Sequence, residues 1–185
     1  MTGFPNRFIS EIRQFRVDRR GAAAVEFALV ISLLIVPLLN VADAAFYVYD
    51  RMALDNAAQA GAAAALAACG NSASLPATNA GKCPELVPAV KAAAQSTWLG
   101  TAVGTPTITE YFYCPQTRST TLVQVGNVAN NTKPATCAGS GGSANDVPGD
   151  YVQVSLSYSF TAIFPGLSIV SGMSPITRSA YMRLS

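Results

Sequence analysis

From Ala22 to Ala42 the chain is apolar apart from a single charge, Glu26, and Phe27 to Leu39 forms an uncharged core within it. A helix rises about 1.5 Å per residue, so this run reaches roughly 30 Å, the thickness of a bilayer's hydrocarbon core. The pattern predicts a transmembrane helix over 22–42. Beyond it the side chains become small, with alanine at 57, 58, 60 and 62–65, and no proline occurs between Pro37 and Pro76. Alanine is the best helix former, which predicts one long helix from about 22 to 68 with Gly70 as its stop. Pro37 cannot donate to the Leu33 carbonyl, and a kink is expected there. The small residues would let another element approach closely. Asp43, Asp50, Arg51, Asp55 and Asn56 are read as a wetter face, with Arg51 and Asp55 forming an intrahelical pair.

Residues 71–84 read as loop. A second helix is expected over 85–99, because Leu86, Val90, Ala94 and Trp98 recur at helical spacing before Gly100. Strand patterns follow at 107–114, 120–125 and 151–160, with a short closing strand from Ile176. The clearest is the third, where Val152, Val154, Leu156, Tyr158 and Phe160 alternate with Gln153, Ser155, Ser157 and Ser159. Gly126 to Gly149 is rich in Asn, Gly, Ser and Pro and is read as an exposed loop. These elements define an α+β fold: a long N-terminal transmembrane-plus-amphipathic helix packed on a small extracytoplasmic antiparallel sheet domain with a second helix.

Composition agrees with a chain that is not wholly water-facing. Of 185 residues, 50% are hydrophobic and 12% charged, where a soluble domain carries about 25% charged residues. Disorder of the whole is excluded, since it needs low hydrophobicity and high charge. The length is too short for a two-domain enzyme with a large cofactor crevice. The net charge of +2 is unevenly placed. Arg7, Arg13, Arg16, Arg19 and Arg20 outweigh Glu11 and Asp18 at the start, whereas the remainder is close to neutral. The positive-inside rule then keeps the N-terminus cytoplasmic and exports the rest. The domains expected are a basic cytoplasmic leader (1–21), a transmembrane helix (22–42) and an extracytoplasmic α+β domain (43–185). No part reads as a nucleic-acid-binding surface.

The cysteines are Cys69, Cys83, Cys114 and Cys137, none in a close pair, and the chain has no histidine. A zinc site would need all four thiolates at unusual spacing, so disulfides are the better reading for an exported domain. Three pairings are possible; Cys69–Cys83 and Cys114–Cys137 are favoured because each closes a loop-like stretch. The lack of histidine removes the usual general base and nucleophile pairs. The carboxylates do not cluster along the sequence, and Gly139-Ser-Gly-Gly142 lacks the Lys-Ser/Thr of a phosphate loop. No catalytic residue, metal site or cofactor is expected.

Three readings of the N-terminal segment remain open on residue types alone. It suits a signal peptide with a cleavage site at Ala42-Asp43-Ala44, a plain uncleaved anchor, or a helix whose Glu26 has an assigned partner. The run Arg19-Arg20-Gly21-Ala22-Ala23-Ala24-Val25-Glu26-Phe27-Ala28-Leu29 resembles the N-terminus of the TadE-like (TadE/TadF) minor pilins of the tight-adherence (Tad) pilus system, a branch of the type IV pilin superfamily. The resemblance implies cleavage by a prepilin peptidase between Gly21 and Ala22, with Arg19 and Arg20 in the leader. It also implies that Glu26 pairs with the new N-terminus of a neighbouring subunit. The implied partners are that peptidase, other pilins or pseudopilins and the Tad machinery of the inner (cytoplasmic) membrane, and the implied role is assembly or initiation of an adhesive pilus. A valine-rich strand, an apolar segment with Pro165 and the closing Ser179-Ala180-x-x-Arg183 run extend the resemblance. The competing expectation is a secreted or membrane-anchored binding module whose loop at 126–149 contacts a ligand.

Overall fold

The computed structural model describes residues 19–79, 81–117, 121–128 and 133–185, with the backbone alone of Arg19 and Arg20. The basic leader up to residue 18, the side chains of Arg19 and Arg20, and part of the 126–149 loop therefore lie outside the described residues. Helix α1 spans Arg19–Cys69 and α2 Leu86–Gln95. Strands β1 (Thr107–Pro115), β2 (Leu122–Asn127), β3 (Gly149–Tyr158) and β4 (Ile176–Arg183) form one antiparallel sheet in the order β2-β1-β3-β4. The α+β layout expected from the sequence is the one observed.

At 51 residues, α1 is about 75 Å long, and its two halves meet different surroundings. Residues 21–37 are exposed throughout, including Phe27, Leu33 and Leu34. From Asp43 onward one face turns inward. Leu54, Ala57, Ala58, Ala62, Ala65 and Cys69 are buried on it, against α2 on one side and β3 and β4 on the other. Small side chains make this double contact possible. A Cβ at Gly61 would stand 3.2 Å from Val90 Cγ1 of α2 and 3.3 Å from Val154 Cγ1 of β3, so any larger residue would have to push one of these valines back by a few tenths of an ångström. The inner face of the sheet supplies Val152, Val154 and Leu156, as their alternation predicts. The outer face carries a cluster of tyrosines, Tyr113 meeting Tyr111, Tyr151 and Tyr181 edge-on.

Two local expectations are corrected. Helix α2 stops at Gln95, before Gly100. The Ser96 hydroxyl donates to the Ala93 carbonyl at 2.7 Å and the Thr97 hydroxyl to the Ala94 carbonyl at 2.8 Å, local bonds that compete with the helix ladder. Trp98 thus leaves the apolar stripe of Leu86, Val90 and Ala94 and is 76% exposed, its ring edge-on to Tyr49. Asp55 does not answer Arg51. It pairs at 3.3 Å with Arg178 of β4, tying α1 to the sheet.

The cysteines pair as Cys69–Cys83 and Cys114–Cys137. The first joins the end of α1 to the loop before α2, and the second clips the 133–148 segment to β1. That segment is less free than its composition implies. Cys137 and Pro148 are buried, Thr117 donates to the Gly141 carbonyl at 2.9 Å, and the Cys137 N–H donates to Asp146 O at 2.9 Å. A Cβ at Gly142 would fall 2.7 Å from Cys137 Cβ and 2.8 Å from Pro115 O, so glycine lets the loop lie against the bridge. Loops closed over separations of 14 and 23 residues are each expected to contribute about 3 kcal/mol through the unfolded state. Serine in place of both Cys114 and Cys137 should lower the urea midpoint of the full chain in detergent micelles accordingly. An unchanged midpoint would show that the bridge constrains nothing that the 133–148 contacts do not already hold.

Candidate functional site

The residues singled out by sequence lie at the free end of α1. Gly21 and Ala22 are exposed, and a Cβ on Gly21 would have nothing within 4 Å. The Gly21–Ala22 bond falls in the first turn of the helix, which starts at Arg19. Glu26 is exposed one turn further on and has no hydrogen-bond or ion-pair partner among the described residues. Along the apolar stretch, polar side chains satisfy themselves on the helix: Ser32 Oγ donates to the Ala28 carbonyl at 2.7 Å and Asn40 Nδ2 to the Val36 carbonyl at 2.9 Å. The helix is assigned without interruption through Pro37. Among the described residues this is the one helix long and apolar enough to cross a membrane, and none of its most apolar stretch is buried in the protein. An apolar surface of that length without a protein partner calls for lipid or other helices.

Where the apolar run ends, the globular domain is built directly onto it. Asp43, read from the sequence as part of a wet face, has 0% exposure. Its carboxylate accepts the N–H of Ile163 at 2.9 Å and of Phe164 at 3.3 Å, while Asn40 Oδ1 accepts the N–H of Ile169 at 2.9 Å. Two side chains of α1 therefore hold the segment between β3 and β4, and an edge-on contact of Tyr47 with Phe160 at 5.4 Å continues the joint upward. The signal for Asp43 was present in the spacing. It lies eleven residues, three turns, before the buried Leu54, and so on the same face of the helix.

A second buried carboxylate system sits at the other end of the domain. Glu110 of β1 and Asp150 of β3, each 4% exposed, lie on the inner face of adjacent strands, Glu110 opposite Val152 and Phe112 opposite Asp150. Sequence separation concealed this proximity. Glu110 is committed to the loop after α1: Oε1 accepts the Ala77 N–H at 2.9 Å, and Oε2 accepts the Thr78 N–H at 2.7 Å and its hydroxyl at 2.6 Å. Asp150 is pushed up to about 7, first by burial, then by the Glu110 charge and a hydrogen bond to Glu110, with Lys133 opposing. Burial and the adjacent Glu110 both favour the protonated form of Asp150. With both Glu110 oxygens occupied, the pair is a loop anchor rather than a catalytic dyad. Among the described residues no three or more potential metal ligands converge.

These features describe a class: an α+β protein anchored by an apolar N-terminal helix, whose small disulfide-linked domain is seated on the C-terminal half of that helix. Residues 21–63 match the family model described as TadE-like protein. The match begins at Gly21, takes in Glu26, the apolar run and Asp43, and ends in the buried part of α1, so it covers most of the long helix and none of the sheet. No curated protein and no solved structure matches the chain.

Proposed function

We propose that the chain is a minor pilin or pseudopilin, processed by a prepilin peptidase after Gly21, that acts in assembly or initiation of a Tad-type adhesive pilus. The observation that carries this reading is the coincidence of the TadE-like match from Gly21 with an apolar helix stretch that is not buried against any of the described residues. In this reading the N-terminus is cytoplasmic and residues 43–185 are periplasmic, with the inner membrane, the peptidase, other pilins and the Tad machinery as partners. No catalytic step is assigned to any residue. Cleavage frees an α-amino group at Ala22, and a carboxylate at Glu26 in lipid is tolerable when paired with such a group on the next subunit. Pro37 weakens the helix between that contact and the domain.

The signal-peptide alternative is disfavoured by the domain itself. Cleavage after Ala44 would remove Asn40 and Asp43, the acceptors for the Ile163, Phe164 and Ile169 N–H groups. N-terminal sequencing of the protein from its own membranes is expected to begin at Ala22. A start at Ala45 would establish secretion, and one at Met1 a plain anchor; either would end the pilin reading. Glu26→Gln is expected to leave membrane insertion and processing unchanged and to reduce incorporation into pili by an order of magnitude or more, measured by blotting sheared pili against membranes. Normal incorporation would remove Glu26 from subunit pairing.

A further inference from the structure

The segment joining β3 to β4 is unusual in what it exposes. From Tyr151 to Thr177 there is no charged residue. Ile163, Leu167, Ile169 and Met173 all stand out from the surface, Ile169 at 76%, while Val170 and Ala162 hold the segment's inner side in the core. A loop that turns large aliphatic side chains outward and has no charge to solvate it normally covers something.

Its position identifies the occupant. The loop is held to α1 at Asn40 and Asp43, the last residues of the apolar run and the first beyond it. A span over 22–42 fills the roughly 30 Å hydrocarbon core, so residues 40–43 lie at the bilayer surface whichever way the helix points. The loop, fixed beside them, has the same depth. Further up, the domain becomes polar: Arg178 and Asp55 meet three turns above Asp43. We infer that the 161–173 segment is a membrane-interface foot, with Ile163, Leu167, Ile169 and Met173 inserted among the lipid headgroups and upper acyl chains. The inference rests on the anchored reading of α1. It adds a second attachment that fixes the tilt and rotation of the domain on the membrane, which a single helix alone leaves free. Apolar faces of this kind sit about 5–10 Å into the headgroup and acyl boundary. Because no charge takes part, binding to the lipid surface is independent of salt.

The chain's single tryptophan, Trp98, can be removed and a reporter placed elsewhere. Full-length protein in the Trp98→Phe background, reconstituted in phosphatidylcholine vesicles brominated near the headgroup end of the acyl chains, is compared at four sites. Ile169→Trp and Met173→Trp report on the foot, Leu34→Trp on the span, and Tyr181→Trp on the outer sheet face. The two foot sites are exposed, so their replacement leaves the core intact, and each checks the other. The expected result is that both lose more than half their emission, equally in low and high salt, while Tyr181→Trp keeps its emission. Quenching at Leu34→Trp without quenching at either foot site would overturn the foot and leave the anchor standing. No quenching at Leu34→Trp would overturn the anchor and the foot together. Quenching of Tyr181→Trp equal to that of the foot sites would also overturn it, because the sheet would then lie against the bilayer.

Discussion

Asp43→Ala is expected to destabilise the domain by about 3 kcal/mol, because it leaves two part-buried N–H donors without their acceptor, at roughly 1–3 kcal/mol each. The bonds lost, from Ile163 and Phe164, end on a side chain with 0% exposure. Bonds to a carboxylate are also among the stronger ones. The damage should be local in structure as well as large in energy. Hydrogen exchange at Ile163 and Phe164 should accelerate to near the unprotected rate, while the β1–β3 ladder keeps its protection until global unfolding. Asp43→Asn keeps one acceptor oxygen and should cost less than half as much. Urea unfolding of the full chain in micelles measures the stability. An unchanged midpoint in Asp43→Ala would mean that the 161–170 segment is held by Val170 and Phe160 packing alone, and that α1 does not fix the loop at its membrane end.

Much of the fold follows from patterns that depend on near neighbours in the chain. The long helix, all four strands and the inward row Val152-Val154-Leu156 could be read because periodicity is local. The alternating strand is a case where propensity and burial agree. What was hidden depends on partners distant in sequence. Asp55 looked paired with Arg51 because both lie on one helix, yet β4 brings Arg178 to it. Glu110 and Asp150 looked isolated, and only the β1–β3 register sets them side by side. Trp98 was misplaced for a different reason. Ser96 and Thr97 end the helix through their own hydroxyls, a choice that an apolar stripe does not encode. The site followed the same division. The apolar run is contiguous in sequence and was legible, whereas the Asn40–Asp43 clasp needs the loop at 163–169 and was not.

The Glu110–Asp150 pair gives the chain an inverted pH response, opposite to that of an ordinary salt-bridged carboxylate. Asp150 binds its proton more tightly when folded, rising from 3.8 to about 7, so the folded state holds more protons than the unfolded one between those values. Stability is then complete below about pH 4, falls as the pH rises through 7, and levels off above it. At one pKa unit per 1.36 kcal/mol, the loss across the window reaches up to about 4 kcal/mol. The groups that face Asp150 are Glu110 from β1, which raises its proton affinity, and Lys133 from the loop before Cys137, which lowers it. Asp150→Asn replaces the protonated acid with an amide that can still donate to Glu110 and cannot ionise. The variant should match the parent near pH 4 and exceed it by a margin that grows as the pH rises toward 7, its own profile staying nearly flat. Glu110→Gln is the complementary case. It removes the charge that Asp150 avoids but weakens the acceptor for Ala77, Thr78 and the Thr78 hydroxyl, so it should reduce the pH slope and lower stability throughout. Urea midpoints of the three proteins from pH 4.5 to 8.5 check both expectations. A parent whose stability rises with pH across this range would show that Asp150 is ionised in the folded domain, and that Lys133 rather than a shared proton compensates the pair.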